Sequence, residues 1–306
     1  VASSYYATSN DGKTWSQNNC APLVDRVSAI VYANNTLVAT GYKENSTPHY
    51  NIARSTDNGT SWSGQETLGY YGFCLAYGAG TWVAGSNSTA FIKYSTNNGV
   101  SWNNIAANGG FTYSVNGVAY GKDGSGAGLW VAVGQGGNNI ATSSNGTSFT
   151  MINAYSIIGN CVAYGKDDTG AGLWVTGGSG MVYSSNGSSS WTAVPSGSTG
   201  GLTQVNGVAY GVNDLGAGLW VAVGAGGNKI AYSSNGSSWT SSTVTNGFTT
   251  GYGVACGTDN TGKTLWVAVG AGGNKIATSP NGISWTGQTA TAYNPTIILG
   301  VMFKPP

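Results

Sequence analysis

Residues 205–241 read VNGVAYGVNDLGAGLWVAVGAGGNKIAYSSNGSSWTS, and this stretch decides the fold. Val205 to Gly211 is a first strand, Leu219 to Gly224 a second, Lys229 to Ser234 a third and Ser238 to Ser241 a short fourth. β-Branched and aromatic residues fill the strands, and Gly and Asn punctuate them. The stretch recurs. Aligned on Gly-x-(Ser/Thr)-aromatic, with one residue more before Trp191, seven copies end at Trp15, Trp62, Trp102, Phe149, Trp191, Trp239 and Trp285, at spacings of 47, 40, 47, 42, 48 and 46 residues. A period in the forties fits a four-stranded propeller blade. Helical solenoids of similar period are excluded, because glycine recurs throughout each unit and costs about 1 kcal/mol at each helix-interior position.

The expected fold is therefore all-β, a seven-bladed propeller of four-stranded antiparallel blades in a single domain, residues 1–306. The blades fall near 27–68, 71–108, 115–154, 158–196, 205–246 and 251–290, with 297–306 joined to 1–19 as the seventh. Ile297 to Phe303 reads as a first strand, and the N-terminal segment supplies third and fourth strands. Pairing of the two chain ends in one blade is expected to close the ring and remove open sheet edges. The turn before the fourth strand is Asn-Gly at Asn58, Asn98, Asn145, Asn186, Asn235 and Asn281, and Asp-Gly at Asp11. Such dipeptides predict a type I′ hairpin turn.

Composition narrows function. Of 306 residues, eleven are Lys or Arg and ten Asp or Glu, a net charge of +1. Scattered cations do not form the basic stripe that nucleic acid requires. No apolar run reaches the roughly 20 residues of a membrane span. Four cysteines, Cys20, Cys74, Cys161 and Cys256, are too few and too widely spaced for a disulfide framework, and no C-x-x-C pair points to zinc. No cofactor or metal is expected. The single His49 makes no metal site alone. The first-to-second-strand loops carry Asp123, Asp167, Asp168, Asp214 and Asp259, too sparse for dense calcium loops, and read as solvated turns. The chain begins at Val1 without an initiator Met or a signal sequence and reads as a processed chain. Seven sequons, at Asn34, Asn45, Asn58, Asn87, Asn145, Asn186 and Asn235, point to a glycan-carrying, extracellular or cell- or virion-surface protein.

The segment Ser55-Thr56-Asp57-Asn58-Gly59-Thr60-Ser61-Trp62 resembles the Asp-box, or BNR, repeat S-x-D-x-G-x-[ST]-W of sialidase-type propellers. The resemblance extends over the chain in seven copies. It implies structural hairpins, with Asp57, Gly59, Trp62, Gly99, Trp102, Gly236, Trp239, Gly282 and Trp285 holding turns on the face away from a ligand site. Similar boxes occur in sialidases, some xyloglucan hydrolases and sorting receptors. Six copies depart from the pattern, with Asn10, Asn97, Ser144, Ser185, Ser234 and Pro280 at the aspartate position, so weaker carboxylate bonding is expected there.

A sialidase holds its substrate carboxylate with three arginines, because bidentate guanidinium pairs suit a carboxylate. This chain has only Arg26 and Arg54. A two-carboxylate glycosidase needs an acid and a base across a cleft. With the box and loop aspartates set aside, Asp25, Glu44 and Glu66 remain. The reading is a non-enzymatic, lectin-like propeller that binds glycans or cell-surface material, with no nucleic-acid partner. Its alternative is a self-assembling subunit of a filament, sheath or viral surface, and a glycoside hydrolase stands third. Candidate ligand-binding residues are Tyr42, His49, Tyr50, Tyr71, Tyr113, Tyr155, Tyr252 and Tyr293, on the loops opposite the boxes. Aromatic faces stack on sugar C–H faces there, while neighbouring amides and hydroxyls bond the sugar hydroxyls.

Overall fold

The structure is a computed structural model that describes residues 5–20, 22–23, 26–42, 50–66, 68, 71–87, 92–105, 110–137, 139–152, 157–245, 248–288 and 298–303. The described chain is all-β apart from one 3₁₀ turn, Ser196–Ser198. Its strands form seven sheets. Sheet 1 comprises Arg26–Ala33, Thr36–Tyr42, Ile52–Ser55 and Ser63–Glu66. Sheet 2 comprises Gly72–Gly78, Thr81–Ser86, Ile92–Ser95 and Asn103–Asn104. Sheet 3 comprises Ser114–Lys122, Gly128–Gln135, Ile140–Ser143 and Thr150–Met151. Sheet 4 comprises Gly159–Lys166, Gly172–Gly178, Met181–Ser184 and Thr192–Ala193. Sheet 5 comprises Leu202–Val212, Gly218–Gly226, Ile230–Ser233 and Thr240–Ser241. Sheet 6 comprises Phe248–Thr258, Thr264–Gly272, Ile276–Ser279 and Ser284–Gln288. A two-stranded sheet joins Tyr5–Thr8 and Ser16–Asn19.

The chain divides into two compact units. One contains residues 1–6, 17–122 and 126–159, and the other residues 7–16, 123–125 and 160–306. In each, the core is a series of apolar layers between successive sheets. Sheets 1 and 2 share Val38, Ile52, Leu75 and Trp82; sheets 5 and 6 share Val221, Val223, Val254 and Trp266. Trp82, Trp130, Trp174, Trp220 and Trp266 are all fully buried. A tyrosine on the first strand tilts onto the second-strand tryptophan in four sheets, as in Tyr77–Trp82 at 4.9 Å and Tyr210–Trp220 at 5.1 Å. These are directly opposed cross-strand pairs, the unit of sheet stabilisation.

Sheet-to-sheet packing is set by complementary volumes. The residues that enter the first strands of sheets 1 to 6 are Val27, Gly72, Val115, Gly159, Val205 and Gly251. Facing the last five from the preceding sheet are residues of the opposite size. A Cβ on Gly72 would lie 2.9 Å from Thr40 Cβ, on Gly159 2.7 Å from Val133 Cβ and on Gly251 2.7 Å from Val223 Cβ. Conversely, a Cβ on Gly85 would lie 2.7 Å from Val115 Cγ1, and one on Gly177 2.3 Å from Val205 Cγ1. The cysteines belong to the same scheme. Cys74 opposes Gly85, where sheets 3, 5 and 6 pair Gly117 with Val133, Gly207 with Val223 and Gly253 with Val269. Cys161 likewise lies beside Gly177, its Sγ 3.3 Å from the position of a Cβ there. The four cysteines are free thiols. Burial pushes Cys20, Cys74 and Cys161 up to about 12, so they act as small apolar fillers.

Two features differ from the sequence expectation. Thr243–Thr245, in the connector after sheet 5, pairs in parallel with Ser284–Thr286 and adds a fifth strand to sheet 6. A single parallel bridge, Thr199 to Trp239, repeats this on sheet 5. Each connector thereby covers the outer edge of the sheet it leads to, a position where open hydrogen-bonding groups invite pairing with other chains. At the chain ends, the expected four-stranded seventh blade is represented by two strands, and residues 298–303 carry no strand. Those residues still pack as a first strand would. Phe303 lies over Gly257 as Cys256 lies over Gly211 and Tyr210 over Gly165. Ile298, Val301 and Phe303 meet Trp15 on the apolar cluster of Val267, Val269 and Ile276. Packing places the segment. The ladder hydrogen bonds that would make it a strand are missing among the described residues.

Gly85→Val should destabilise the protein by about 1–3 kcal/mol through overpacking. Adding Cys74→Gly should recover part of the loss, since Val115 is the second obstacle. Urea unfolding of the two single variants and the double variant measures the coupling.

Candidate functional site

The two ends of the strands differ in chemistry. At one end lie the seven box turns, six built on a serine that ends a third strand and one on Ser9, which follows Tyr5–Thr8. In the longer form, Ser55 Oγ donates to Asp57 Oδ1 (2.7 Å) and accepts from Gly59 N (2.8 Å), while Ser61 N donates to Asp57 Oδ1 (2.9 Å). Asn97 plays the Asp57 part in the Ser95 turn. The other five turns are one residue shorter between serine and glycine. There the acceptor is the residue before the glycine. Ser233 Oγ donates to Asn235 Oδ1 (3.1 Å), which also accepts from Ser237 N and Ser238 N (both 3.0 Å). Asp11, Asn145, Asn186 and Asn281 do the same.

The sequence alignment therefore misplaced the acceptor in five copies. Asn10, Ser144, Ser185, Ser234 and Pro280 are spacer residues, and the bonding expected to be lost is carried one position later. The type I′ expectation also fails in these five. Only Asn58 (φ 58°) and Asn98 (φ 59°) adopt positive φ; elsewhere the glycine alone does. The indole Nε1 of Trp15, Trp62, Trp102, Trp239 and Trp285 donates to the box glycine carbonyl at 3.0–3.2 Å. Trp191 stands one residue further from its Gly187, and its Nε1 has no partner among the described residues.

The loops between first and second strands share this end: Asn260 N donates to Asn10 O (3.0 Å). Asp123, Asp167 and Asp259 are occupied by their own loops, and Asn213 takes the same part in sheet 5. Asp167 Oδ1 accepts from Thr169 N, Thr169 Oγ1 and Ala171 N, and Asp259 Oδ1 from Thr261 N, Thr261 Oγ1 and Lys263 N. Hydrogen bonds from Thr169 and Thr261 hold these carboxyls below the usual range. Among the described residues no group of three potential metal ligands occurs.

The opposite end carries four of the candidate ligand residues, Tyr42, Tyr71, Tyr113 and Tyr252. It is shaped by a β-bulge near the start of the first strand in sheets 1, 2, 3, 5 and 6, with register shifts between Val27 and Ala29, Gly72 and Cys74, Val115 and Gly117, Val205 and Gly207, and Gly251 and Gly253. The facing glycine permits it. A Cβ on Gly134 or Gly224 would lie 2.0 or 1.9 Å from the Ser114 or Gln204 carbonyl oxygen. The bulge residues are Ser28, Phe73, Asn116, Asn206 and Tyr252, with Asn160 at the matching place in sheet 4. The asparagines tie sheets together: Asn116 Nδ2 donates to Gly159 O (2.9 Å), Asn160 Nδ2 to Val205 O (3.2 Å) and Asn206 Nδ2 to Gly251 O (2.9 Å).

Tyr42 and Tyr71 come together here. Their rings stack at 4.1 Å and 27°, and Tyr71 continues to Phe73 at 6.1 Å and 13°, a column of three near-parallel rings. Asn87 fastens it, its Oδ1 accepting from Tyr71 N (3.0 Å) and its own N–H donating to Tyr71 O (3.1 Å). Tyr113 is 66% exposed beside the Gly136 turn. Tyr252 occupies a bulge. Tyr50 lies elsewhere, flat over Gly64 of the outer strand. His49, Tyr155, Tyr293 and the sequon Asn45 lie outside the described residues, as do Asp25 and Glu44. Of the other sequons, Asn34 donates through Nδ2 to Tyr77 Oη (2.5 Å), and Asn145, Asn186 and Asn235 are the box acceptors themselves. Sequence reasoning missed Phe73, Asn87 and the asparagine row. The signal for the row is the residue after each strand-entry position, visible once repeats are aligned on the first strand instead of on the box.

No protein-family model matches the sequence, and no curated protein sequence matches it. Solved structures do match. The GH74 enzyme of Niastella koreensis is 19% identical with a TM-score of 0.52 over 79% of this chain, and an ancestral GH74 enzyme is 17% identical with a TM-score of 0.57 over 91%. This chain spans little more than a third of each, 36% and 38%. The computationally designed Ika8 protein matches over 100% of this chain and 89% of its own at 12% identity, TM-score 0.59. YCF48 from Cyanidioschyzon merolae matches over 88% and 90% at 16% identity, TM-score 0.51. These likenesses establish the β-propeller fold. They also overturn the expectation that the chain is not an enzyme. GH74 enzymes carry this fold, so a propeller of this kind does not exclude catalysis.

Asp11 and Asp57 are held down at about 2, Asp11 mainly by the Thr14 and Lys13 amides and Asp57 mainly by the Ser61 hydroxyl and amide. A carboxyl lowered in the fold stabilises it above its unfolded value near 4, and this contribution is lost as pH falls toward 2. Asp11→Asn/Asp57→Asn should keep the turns, as Asn97 does, and flatten the fall in thermal midpoint between about pH 4 and pH 2. Thermal melts across that range test it.

Proposed function

We propose that this chain is an extracellular carbohydrate-binding propeller that holds a neutral glycan at the bulged ends of its first strands. The observation that carries this reading is the column of Tyr42, Tyr71 and Phe73, fastened by Asn87 at the end of the strands away from the box turns. Aromatic carbon beside amides and hydroxyls is the chemistry that neutral sugars select, and a surface with few charges adds little desolvation cost. In this reading the seven turns are Asp-boxes in two lengths, and the terminal segments complete a seventh blade that closes a single-domain ring. The fold likeness to GH74 enzymes is in keeping with a carbohydrate ligand. Cleavage of the bound chain would draw on Asp25, Glu44 and Glu66. A second reading, self-association, is favoured by Leu215, 88% exposed, beside Val212, 40% exposed, on one box-end loop.

Affinity electrophoresis in gels carrying a soluble β-glucan, a mannan or a xyloglucan tests the proposal. At least one polymer should retard the protein, and Tyr71→Ala should weaken retardation about tenfold, the upper range for one aromatic contact. No retardation by any polymer would remove the reading. Release of reducing ends from the retarding polymer would make the protein a hydrolase, and concentration-dependent light scattering without retardation would favour self-association.

A further inference from the structure

Asn-Gly is the dipeptide most prone to spontaneous deamidation, because glycine leaves its own amide nitrogen unobstructed. The reaction is internal. The deprotonated glycine nitrogen attacks the asparagine Cγ, an N–Cγ bond forms, the Cγ–Nδ2 bond breaks and ammonia leaves. Water then opens the succinimide at either carbonyl, giving aspartate or isoaspartate. Six of the seven box turns contain Asn-Gly.

We propose that the box serine is a chemical guard that keeps these six sites from modification. The reacting group is the glycine N–H, and in every box it is held by the serine hydroxyl. The N–H of Gly59, Gly146, Gly236 and Gly282 donates to Ser55, Ser143, Ser233 and Ser279 Oγ at 2.8 Å. Gly187 does so to Ser184 at 2.9 Å and Gly99 to Ser95 at 3.0 Å. All six serines are buried, with at most 5% exposure, so solvent base meets the amide only after its bond to the serine hydroxyl is broken. In the four short Asn-Gly boxes the other reactant is fixed as well. The Asn145, Asn186, Asn235 and Asn281 Oδ1 atoms each accept from the serine hydroxyl and from two backbone amides that follow. Rotating Cγ toward the glycine nitrogen breaks this set.

The two products are not equivalent. Aspartate is accommodated, since Asp11 fills the same place in the first box with the same bonds to Ser9 Oγ and to the Lys13 and Thr14 amides. Isoaspartate inserts an extra backbone carbon between the serine and the glycine and cannot keep the glycine amide on the hydroxyl. Aspartate at all six sites would take a chain of net charge +1 to −5.

The test is peptide mapping by mass spectrometry after incubation of the full chain at pH 8 to 9, native and in denaturant, with Ser233→Ala alongside. Native box asparagines should deamidate far more slowly than the same residues in the denatured chain. Ser233→Ala should speed Asn235 about tenfold, the factor one ordinary hydrogen bond corresponds to, with the other five sites unchanged. Ser233→Thr, which keeps a hydroxyl, should restore protection. Equal native and denatured rates, or an Asn235 rate unmoved by Ser233→Ala, would overturn the proposal. Hydrogen exchange at Ser238 N–H separates the guard from simple opening. If the alanine variant raises Ser238 exchange by the same factor as deamidation, the serine acts only by holding the loop shut, and the proposal also fails.

Discussion

A buried serine hydroxyl shared between a glycine amide and an Asx carboxyl or amide recurs at the end of every described third strand, and much of the fold depends on it. The bond turns the chain without a two-residue hairpin. It places the glycine carbonyl where the following indole can reach it, and the aromatic ring then packs against the sheet. The outer strands it sets up are short, only two residues in sheets 2 to 5. So few ladder bonds would hold an edge poorly on their own. The turn fixes the strand from its start, and on sheets 5 and 6 the incoming connector pairs with that region of the edge.

The repeat, the strand order within sheets and the buried tryptophans were all readable in the sequence, because they depend on local chemistry that recurs at fixed spacing. The acceptor in the short boxes was not. An alignment anchored on the glycine and aromatic cannot see that one residue is missing on the serine side, since Ser144, Ser185 and Ser234 are themselves polar and fill the gap plausibly. The Tyr42–Tyr71 pairing was half legible. Both residues stood out as loop tyrosines, Tyr42 in a second-to-third-strand turn and Tyr71 in a connector, but their stacking depends on two neighbouring sheets and has no signature within either segment. Phe73 and Asn87 were hidden for the same reason, one inside a strand pattern and the other inside a sequon.

Low charge has a structural counterpart. The described box and loop aspartates are largely bonded by serine and threonine hydroxyls and by backbone amides instead of lysines, and asparagine substitutes for aspartate at four short boxes with the same geometry. A neutral amide serves where the acceptor needs only one oxygen. The folding chemistry therefore leaves the opposite end of the strands free of any need for charge, and that end is furnished with rings and amides.

The alternation of valine and glycine at the strand entries has a consequence for exchange between repeats. A sheet entered by valine fits behind one that offers glycine, and the reverse, so neighbouring repeats are not interchangeable, whereas sheets 2 and 4 match each other, as do sheets 3 and 5. The natural module is then a pair of sheets, such as the spacing of 89 from Trp102 to Trp191 or of 90 from Phe149 to Trp239. Val269, where the alternation would call for glycine, breaks the phase at sheet 6.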